Sequence, residues 1–212
     1  MLTEADTCRK YVVPKLVEAE WEDAPRAINE QRTFTDGRIV VSGGLVRRRP
    51  QKRADYILRY TRDFPIAVVE AKASYKCLGD GLQQAKEYAE ILDLKFAYST
   101  NGRDGFVEFD FTTGLERTLT TFPTPDELWL RYRAAMGLQD EASVEKLLSP
   151  FNHLTGKSPR YYQEVAINRT VEAILKGTDR ILLTMATGTG KTVVAFQICW
   201  KLWNAKWNRK GE

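Results

Sequence analysis

The run Met185-Ala186-Thr187-Gly188-Thr189-Gly190-Lys191-Thr192 has residue types suited to gripping phosphate. Gly188, Thr189 and Gly190 can turn backbone N–H groups inward around phosphate oxygens, and the start of a following helix adds its positive end. Lys191 would reach the terminal phosphates of a nucleotide, and the Thr192 hydroxyl would hold Mg²⁺. The run follows an apolar stretch, Arg180–Met185, read as a buried strand, and it opens a helical pattern. That is the strand-turn-helix setting such a loop requires. Met185 occupies the place usually held by the motif's first glycine. Gln163 lies 28 residues before Lys191, and its amide can donate to and accept from an adenine edge at once, so it could select ATP.

A second group of residues suits phosphodiester hydrolysis. If the chain turns at Arg62-Asp63, facing residues carry numbers summing to about 125, and Asp55 lies opposite Glu70. Side chains alternate along a strand, so Glu70 and Lys72 share a face. A register slip of one residue would send Asp55 to the opposite face. In the unslipped register two carboxylates and an ammonium converge. The carboxylates can bind Mg²⁺, which polarises a phosphate and acidifies a bound water. The lysine can orient that water and offset charge on the transition state. An ordinary cross-hairpin ion pair needs the same residue types, but two features favour chemistry. Glu70 ends the apolar run Ile66–Val69, where a lone carboxylate is costly to bury. Gln84 and Tyr88, four apart on the next helix, share one face that can point back toward the strand ends.

The elements that must position these groups are legible in outline. A helix starts near residue 4, with Pro14 expected to kink or end it. Residues 37–46 read as a short strand and a Gly-Gly turn. Strands Ala54–Tyr60 and Pro65–Lys72 flank Arg62-Asp63, and Leu82, Ala85, Ala89 and Leu92 form the apolar stripe of a helix after Gly79-Asp80-Gly81. Lys95–Ser99 and Phe106–Phe111 are further strands, and Thr124-Pro125-Asp126-Glu127 opens another helix. Ser149–Pro159 breaks all periodicity and reads as a linker. A helix over about 160–176 precedes the Arg180–Met185 strand.

Composition limits the alternatives. The 212 residues are 43% hydrophobic and 28% charged, which suits a globular core. No apolar run is long enough to span a bilayer, and no secretory leader is visible. Three scattered cysteines and a single histidine leave neither a disulfide framework nor a His/Cys zinc site, and the expected setting is reducing cytoplasm. The net charge of +4 is unevenly spread, with 10 basic and 4 acidic residues in 151–212. Arg47-Arg48-Arg49 with Lys52-Arg53 is a dense basic run that could neutralise phosphates.

PRYYQ followed by MATGTGKT resembles the Q-motif and motif I of superfamily 2 helicases and translocases. Asp55, Glu70-x-Lys72 and Gln84-xxx-Tyr88 together resemble the PD-(D/E)xK nucleases of the RecB-like branch, with Ala54 where the eponymous proline would stand. In that family an acidic residue of the first helix often joins the metal site, and Glu4 matches it best. Both motif sets in this order, with QKRADYILRY, AVVEAKA and GLQQAKEYAE, look like the R (motor and nuclease) subunit of a type I restriction enzyme. The resemblance implies an α/β fold. It consists of a restriction-endonuclease-like mixed sheet flanked by helices over 1–148, a linker over 149–159, and the start of a RecA-like parallel α/β domain over 160–212. It implies Mg²⁺ and ATP as cofactors, double-stranded DNA as substrate, and methylation and specificity subunits as partners. One β-turn-α unit cannot cover its own sheet, so the chain reads as the N-terminal piece of a longer protein, one that binds ATP weakly and does not turn it over. The competing reading is a non-catalytic DNA-binding or regulatory module attached to a translocase.

Overall fold

The computed structural model describes residues 4–35, 39–42, 45–48, 51–138, 140–153, 156 and 158–207; for 4–5, 39–42 and 45–48 it describes the backbone. Two compact units divide the chain, Met1–Tyr132 and Arg133–Glu212. The first begins with α1 (Glu4–Thr7), a π-helical turn (Cys8–Val12) and α2 (Val13–Glu18). Pro14 was expected to break this run and does not. The π turn lets the Val13 N–H reach back to the Cys8 carbonyl, and Pro14 then falls at the start of α2, where a missing N–H costs little.

Eight strands follow: β1 (Ala27–Phe34), β2 (Ile39–Ser42), β3 (Leu45–Arg48), β4 (Lys52–Thr61), β5 (Phe64–Ala71), β6 (Phe96–Thr100), β7 (Phe106–Asp110) and β8 (Leu115–Leu119). Six form one sheet in the order β1-β4-β5-β6-β7-β8, while β2 and β3 pair as a separate hairpin. Gly43, Gly44 and Arg49 lie outside the described residues, as do the side chains of Arg47 and Arg48. All neighbours in the large sheet are antiparallel except β5 and β6. That parallel pair requires a crossover, and α3 (Leu82–Leu92) supplies it. The predicted stripe Leu82, Ala85, Ala89 and Leu92 is buried, together with Tyr88. Elsewhere an aromatic cluster of Trp21, Tyr98, Phe106 and Phe122 fills the core. The helix α4 (Pro125–Met136) stacks Trp129 on Tyr60 and sets Trp129 and Tyr132 edge-on to Phe64. The expected mixed sheet flanked by helices is therefore present.

Beneath α4 sits a buried charge cluster. Arg131 makes a two-pronged contact with Glu108 at 2.8 and 2.9 Å and reaches Asp110 at 2.6 Å. Tyr98 also donates to Glu108, which is fully buried, and Arg117 adds a third donor at 2.7 Å. Burial alone would raise the Glu108 carboxyl. The donors from Arg131, Tyr98 and Arg117 outweigh it and hold the group below its ordinary value.

In the second unit α5 (Glu141–Leu148), α6 (Tyr161–Leu175) and α7 (Lys191–Asn204) pack on one another. Asp140 caps α5 by accepting from the Ser143 N–H at 2.8 Å. Phe151, Ile167 and Val194 form the core, with Ala166, Met185 and Ile198 against it. The 149–159 stretch is thus partly built into this unit. The Gln197 amide donates to the Asn152 carbonyl at 2.9 Å and accepts from the Asn152 N–H at 2.8 Å. Lys201, also buried, donates to the Leu147 carbonyl at 2.8 Å. The division accordingly falls ahead of α5, not at Ser149.

One expected element is missing. Residues 180–185 are irregular, with Ile181, Leu182 and Leu183 exposed at 40, 89 and 41%. A strand exists only through its ladder, and no described strand pairs with this stretch. Among the described residues no helix is long and apolar enough to cross a membrane. Among the described residues Cys8, Cys77 and Cys199 form no disulfide.

Candidate active site and nucleotide loop

The hairpin of β4 and β5 is built from apolar residues on both faces, with the turn at Arg62-Asp63. Its pairs Tyr56–Val69, Ile57–Val68 and Leu58–Ala67 each sum to 125, the register the turn predicted, and a bulge follows at Arg59. The ladder stops at Tyr56–Val69. Beyond it β4 stays with β1 and β5 stays with β6, so the two strands part. Side chains take over the backbone donors left between them. The Asp55 N–H donates to Glu70 Oε1 at 3.2 Å, and the Ala71 N–H donates to Asp55 Oδ2 at 2.9 Å. Strand parting and carboxylate placement are one event, because a buried N–H without a ladder partner needs another acceptor.

Lys72 Nζ stands 3.8 Å from Glu70 Oε2 and donates to Gln84 Oε1 at 2.9 Å. Gln84 Nε2 in turn donates to the Tyr88 hydroxyl at 2.9 Å. Hydrogen bonds join Asp55 to Glu70, and Lys72 through Gln84 to Tyr88, and the Glu70–Lys72 ion pair connects the two groups at the ends of β4 and β5 and on α3. Asp55 and Glu70 are 7 and 1% exposed. Two buried carboxylates beside one ammonium leave an excess of negative charge, which suits a hard divalent cation. Magnesium fits better than a cation needing a full protein cage. Among the described residues no cluster of three or more His, Cys, Asp or Glu could hold a metal, and magnesium commonly takes one or two carboxylates and completes its shell with water and phosphate. The Glu4 side chain lies outside the described part of the structure.

Three neighbours were not visible in the sequence. Gln31 donates to Asp55 Oδ1 at 3.1 Å from an irregular point of β1, where its φ is +51°. Ser99 accepts from the Gly81 N–H at 3.1 Å. A β-carbon at Gly81 would lie 2.9 Å from Ser99 Oγ and 3.1 Å from Lys72 Cε. The absence of one lets α3 begin against the site, a role the sequence displayed only as a turn signal.

In the second unit the phosphate-loop residues border a cleft of about 690 Å³ that includes Arg160, Gln163, Gly188, Thr189, Gly190, Thr192 and Phe196. That volume is within the range of small-molecule sites. Gly188 and Gly190 have φ of +78 and +85°, the left-handed values that expose successive N–H groups. Lys191 Nζ rests on the Met185 carbonyl at 2.8 Å. Gln163 is buried, accepts from the Arg160 N–H at 2.9 Å and donates to the Thr189 carbonyl at 2.8 Å. Both ends of its amide are therefore engaged with main chain. It braces the loop.

Known proteins resemble this chain in sequence and fold. Residues 156–210 match the family described as Type III restriction enzyme, res subunit. The chain is 43% identical over 99% of its length to the endonuclease subunit of the type I restriction enzyme EcoAI of Escherichia coli, covering 26% of that protein. It is 28% identical over 70% of its length to the EcoKI endonuclease subunit of Escherichia coli strain K12, covering 16% of it. A fragment assigned to the HsdR subunit of a type I restriction enzyme from Vibrio vulnificus YJ016 superposes over the whole chain with a TM-score of 0.88 and 62% identity, the chain covering 40% of it. The chain thus spans about a quarter of the EcoAI subunit. It is a homologue of the endonuclease (HsdR) subunits of type I restriction enzymes.

Proposed function

We propose that Asp55, Glu70 and Lys72 cleave duplex DNA with Mg²⁺, as the nuclease of a type I restriction enzyme, and that residues 160–212 begin its ATP-driven, RecA-like motor. The observation that carries this reading is the network of hydrogen bonds and one ion pair from Asp55 to Tyr88 at the parting of β4 and β5. A salt bridge alone would need neither the amide nor the phenol. Asp55 and Glu70 would hold the magnesium, which supplies a polarised phosphate and an acidified water when bound. Lys72, fixed by Gln84, would orient the attacking water and meet charge on the non-bridging oxygens. Homology to the EcoAI and EcoKI subunits and the matched restriction-enzyme family support the assignment. On this reading the complete subunit works in the cytoplasm with methylation and specificity subunits.

The test is cleavage of a plasmid by the full assembly in Mg²⁺ and ATP. Asp55→Ala and Glu70→Ala are each expected to abolish cutting. Wild-type cutting by both variants would favour a DNA-binding module with a vestigial site.

The nucleotide loop carries its own prediction. A β-carbon at Gly190 would fall against Gln163 Nε2, at a φ that side chains rarely adopt. Gly190→Ala in the full-length subunit is expected to weaken ATP binding about 5- to 150-fold, from about 1–3 kcal/mol of backbone strain. Titration with a fluorescent ATP analogue measures it, and unchanged affinity would remove the loop from nucleotide binding.

A further inference from the structure

Several cations of the first unit sit in ion pairs. Arg26 pairs with Asp126, Lys52 with Glu87, Lys95 with Asp93, and Arg117 and Arg131 with Glu108. Lys10, Lys76 and Arg103 are exposed and, among the described residues, enter no ion pair. The topology brings these three to the catalytic end of the sheet. Lys76 follows Lys72 by four residues, and its carbonyl accepts from Asn101 Nδ2 at 3.1 Å. The Lys72 N–H donates to the Thr100 carbonyl at 2.8 Å, three residues before Arg103, so the backbones of Lys72 and Arg103 are within roughly 16 Å of each other. Gly102, with φ of +79°, presses this loop onto the first helical run, where a β-carbon would lie 2.8 Å from both Thr7 Cγ2 and Tyr11 Cβ. Lys10 Nζ and Arg103 Cζ then sit 5.3 and 5.8 Å from the Tyr11 ring. Hydrogen bonds from Lys10 and Arg103 pull the Tyr11 phenol below its ordinary value, a mark of the local positive field. The acid nearest in sequence, Asp104, is turned onto Asn101 Nδ2 at 2.7 Å.

We propose that Lys10, Lys76 and Arg103 form a phosphate-tracking surface that seats the backbone of duplex DNA alongside Lys72. The inference rests on the nuclease reading for its meaning, since a hydrolase site recessed beside two buried carboxylates repels a polyanion unless cations flank it. Three ion-paired cations could not serve, because binding phosphate would strand their carboxylates. The partner is the sugar-phosphate backbone and not the bases: the three groups are exposed cations, and cationic contacts to phosphate position a duplex without reading its sequence.

The test measures affinity of the full-length subunit for a short duplex lacking any recognition sequence, without divalent cation, across a salt series. For Lys10→Gln/Lys76→Gln/Arg103→Gln the slope of log affinity against log salt is expected to fall by about 2–3, near 0.9 per lost phosphate contact. The charge-retaining set Lys10→Arg/Lys76→Arg/Arg103→Lys should keep the wild-type slope, as should Lys95→Gln, whose cation is already paired. An unchanged slope in the glutamine variant overturns the proposal, and so does an equal loss in the charge-retaining set, which would report disturbed folding. The nuclease reading stands or falls separately: Asp55→Ala that still cuts DNA defeats that reading even where the slope changes as expected.

Discussion

Lys72→Ala in the assembled enzyme is expected to lower the rate of DNA cleavage on the order of 10²–10³-fold, the loss typical of removing one preorganised electrostatic donor from a transition state. The ammonium is unusual in being held from two sides, by Gln84 Oε1 at 2.9 Å and Glu70 Oε2 at 3.8 Å. Holding it off Glu70 keeps the carboxylate open to a cation, so Gln84→Leu should give a smaller loss of about tenfold as Lys72 closes onto Glu70. Lys72→Arg should not restore the rate, because a planar fork cannot replace a point charge in this space. On the proposed reading, DNA-stimulated ATP hydrolysis by the assembled enzyme should persist in Lys72→Ala. Single-turnover cleavage and phosphate release on one preparation check both halves. Cleavage within a factor of about three of wild type would remove Lys72 from the chemistry.

Arg131→Met is expected to destabilise the first unit by about 3–5 kcal/mol, since it strips the two-pronged partner from a fully buried carboxylate. Arg117 remains, but its side chain is half exposed and offers one donor to Glu108. The same cluster sets an acid dependence. Against the opposing effect of burial, donors from Arg131 and others hold Glu108 and Asp110 below their ordinary values. Groups depressed in the folded state contribute stability that is present above the unfolded value and lost as pH falls through the folded one. Stability of the wild type should therefore decline from about pH 5 downward, and more steeply than that of Arg131→Met. Urea denaturation followed by tryptophan fluorescence between pH 3 and 7 gives both quantities. A variant within about 1 kcal/mol of wild type at neutral pH would mean that Arg117 and Tyr98 suffice for Glu108.

The β4–β5 hairpin was legible because three signals coincide: a polar turn at Arg62-Asp63, apolar runs on either side, and a register fixed by counting. That register is what made Asp55 and Glu70 readable as neighbours. Gln84 and Tyr88 were readable through helical spacing alone. The partner of Asp55 on β1 was not, since an edge strand with the sequence AINEQRTF shows no clean alternation and Gln31 sits where the pairing is irregular. Edge strands need only one paired side and tolerate such composition. The helix α5 escaped notice because eight residues give too short a stripe for periodicity to speak. Arg180–Met185 failed in the opposite sense: its apolar residues favour a strand, yet propensity is realised only through pairing. Pro14 shows local sequence overruled by a wider helical turn, which no residue pattern announces.

The grip of α7 on the chain before it has a mechanical meaning. The helix leaves the nucleotide loop at Lys191 and clasps main-chain atoms of Asn152 through Gln197 and of Leu147 through Lys201. No hinge can operate inside a stretch bolted at both points to the same rod. A displacement of α7 would carry Leu147 through Asn152 with it, and any bending of this unit would fall outside that span.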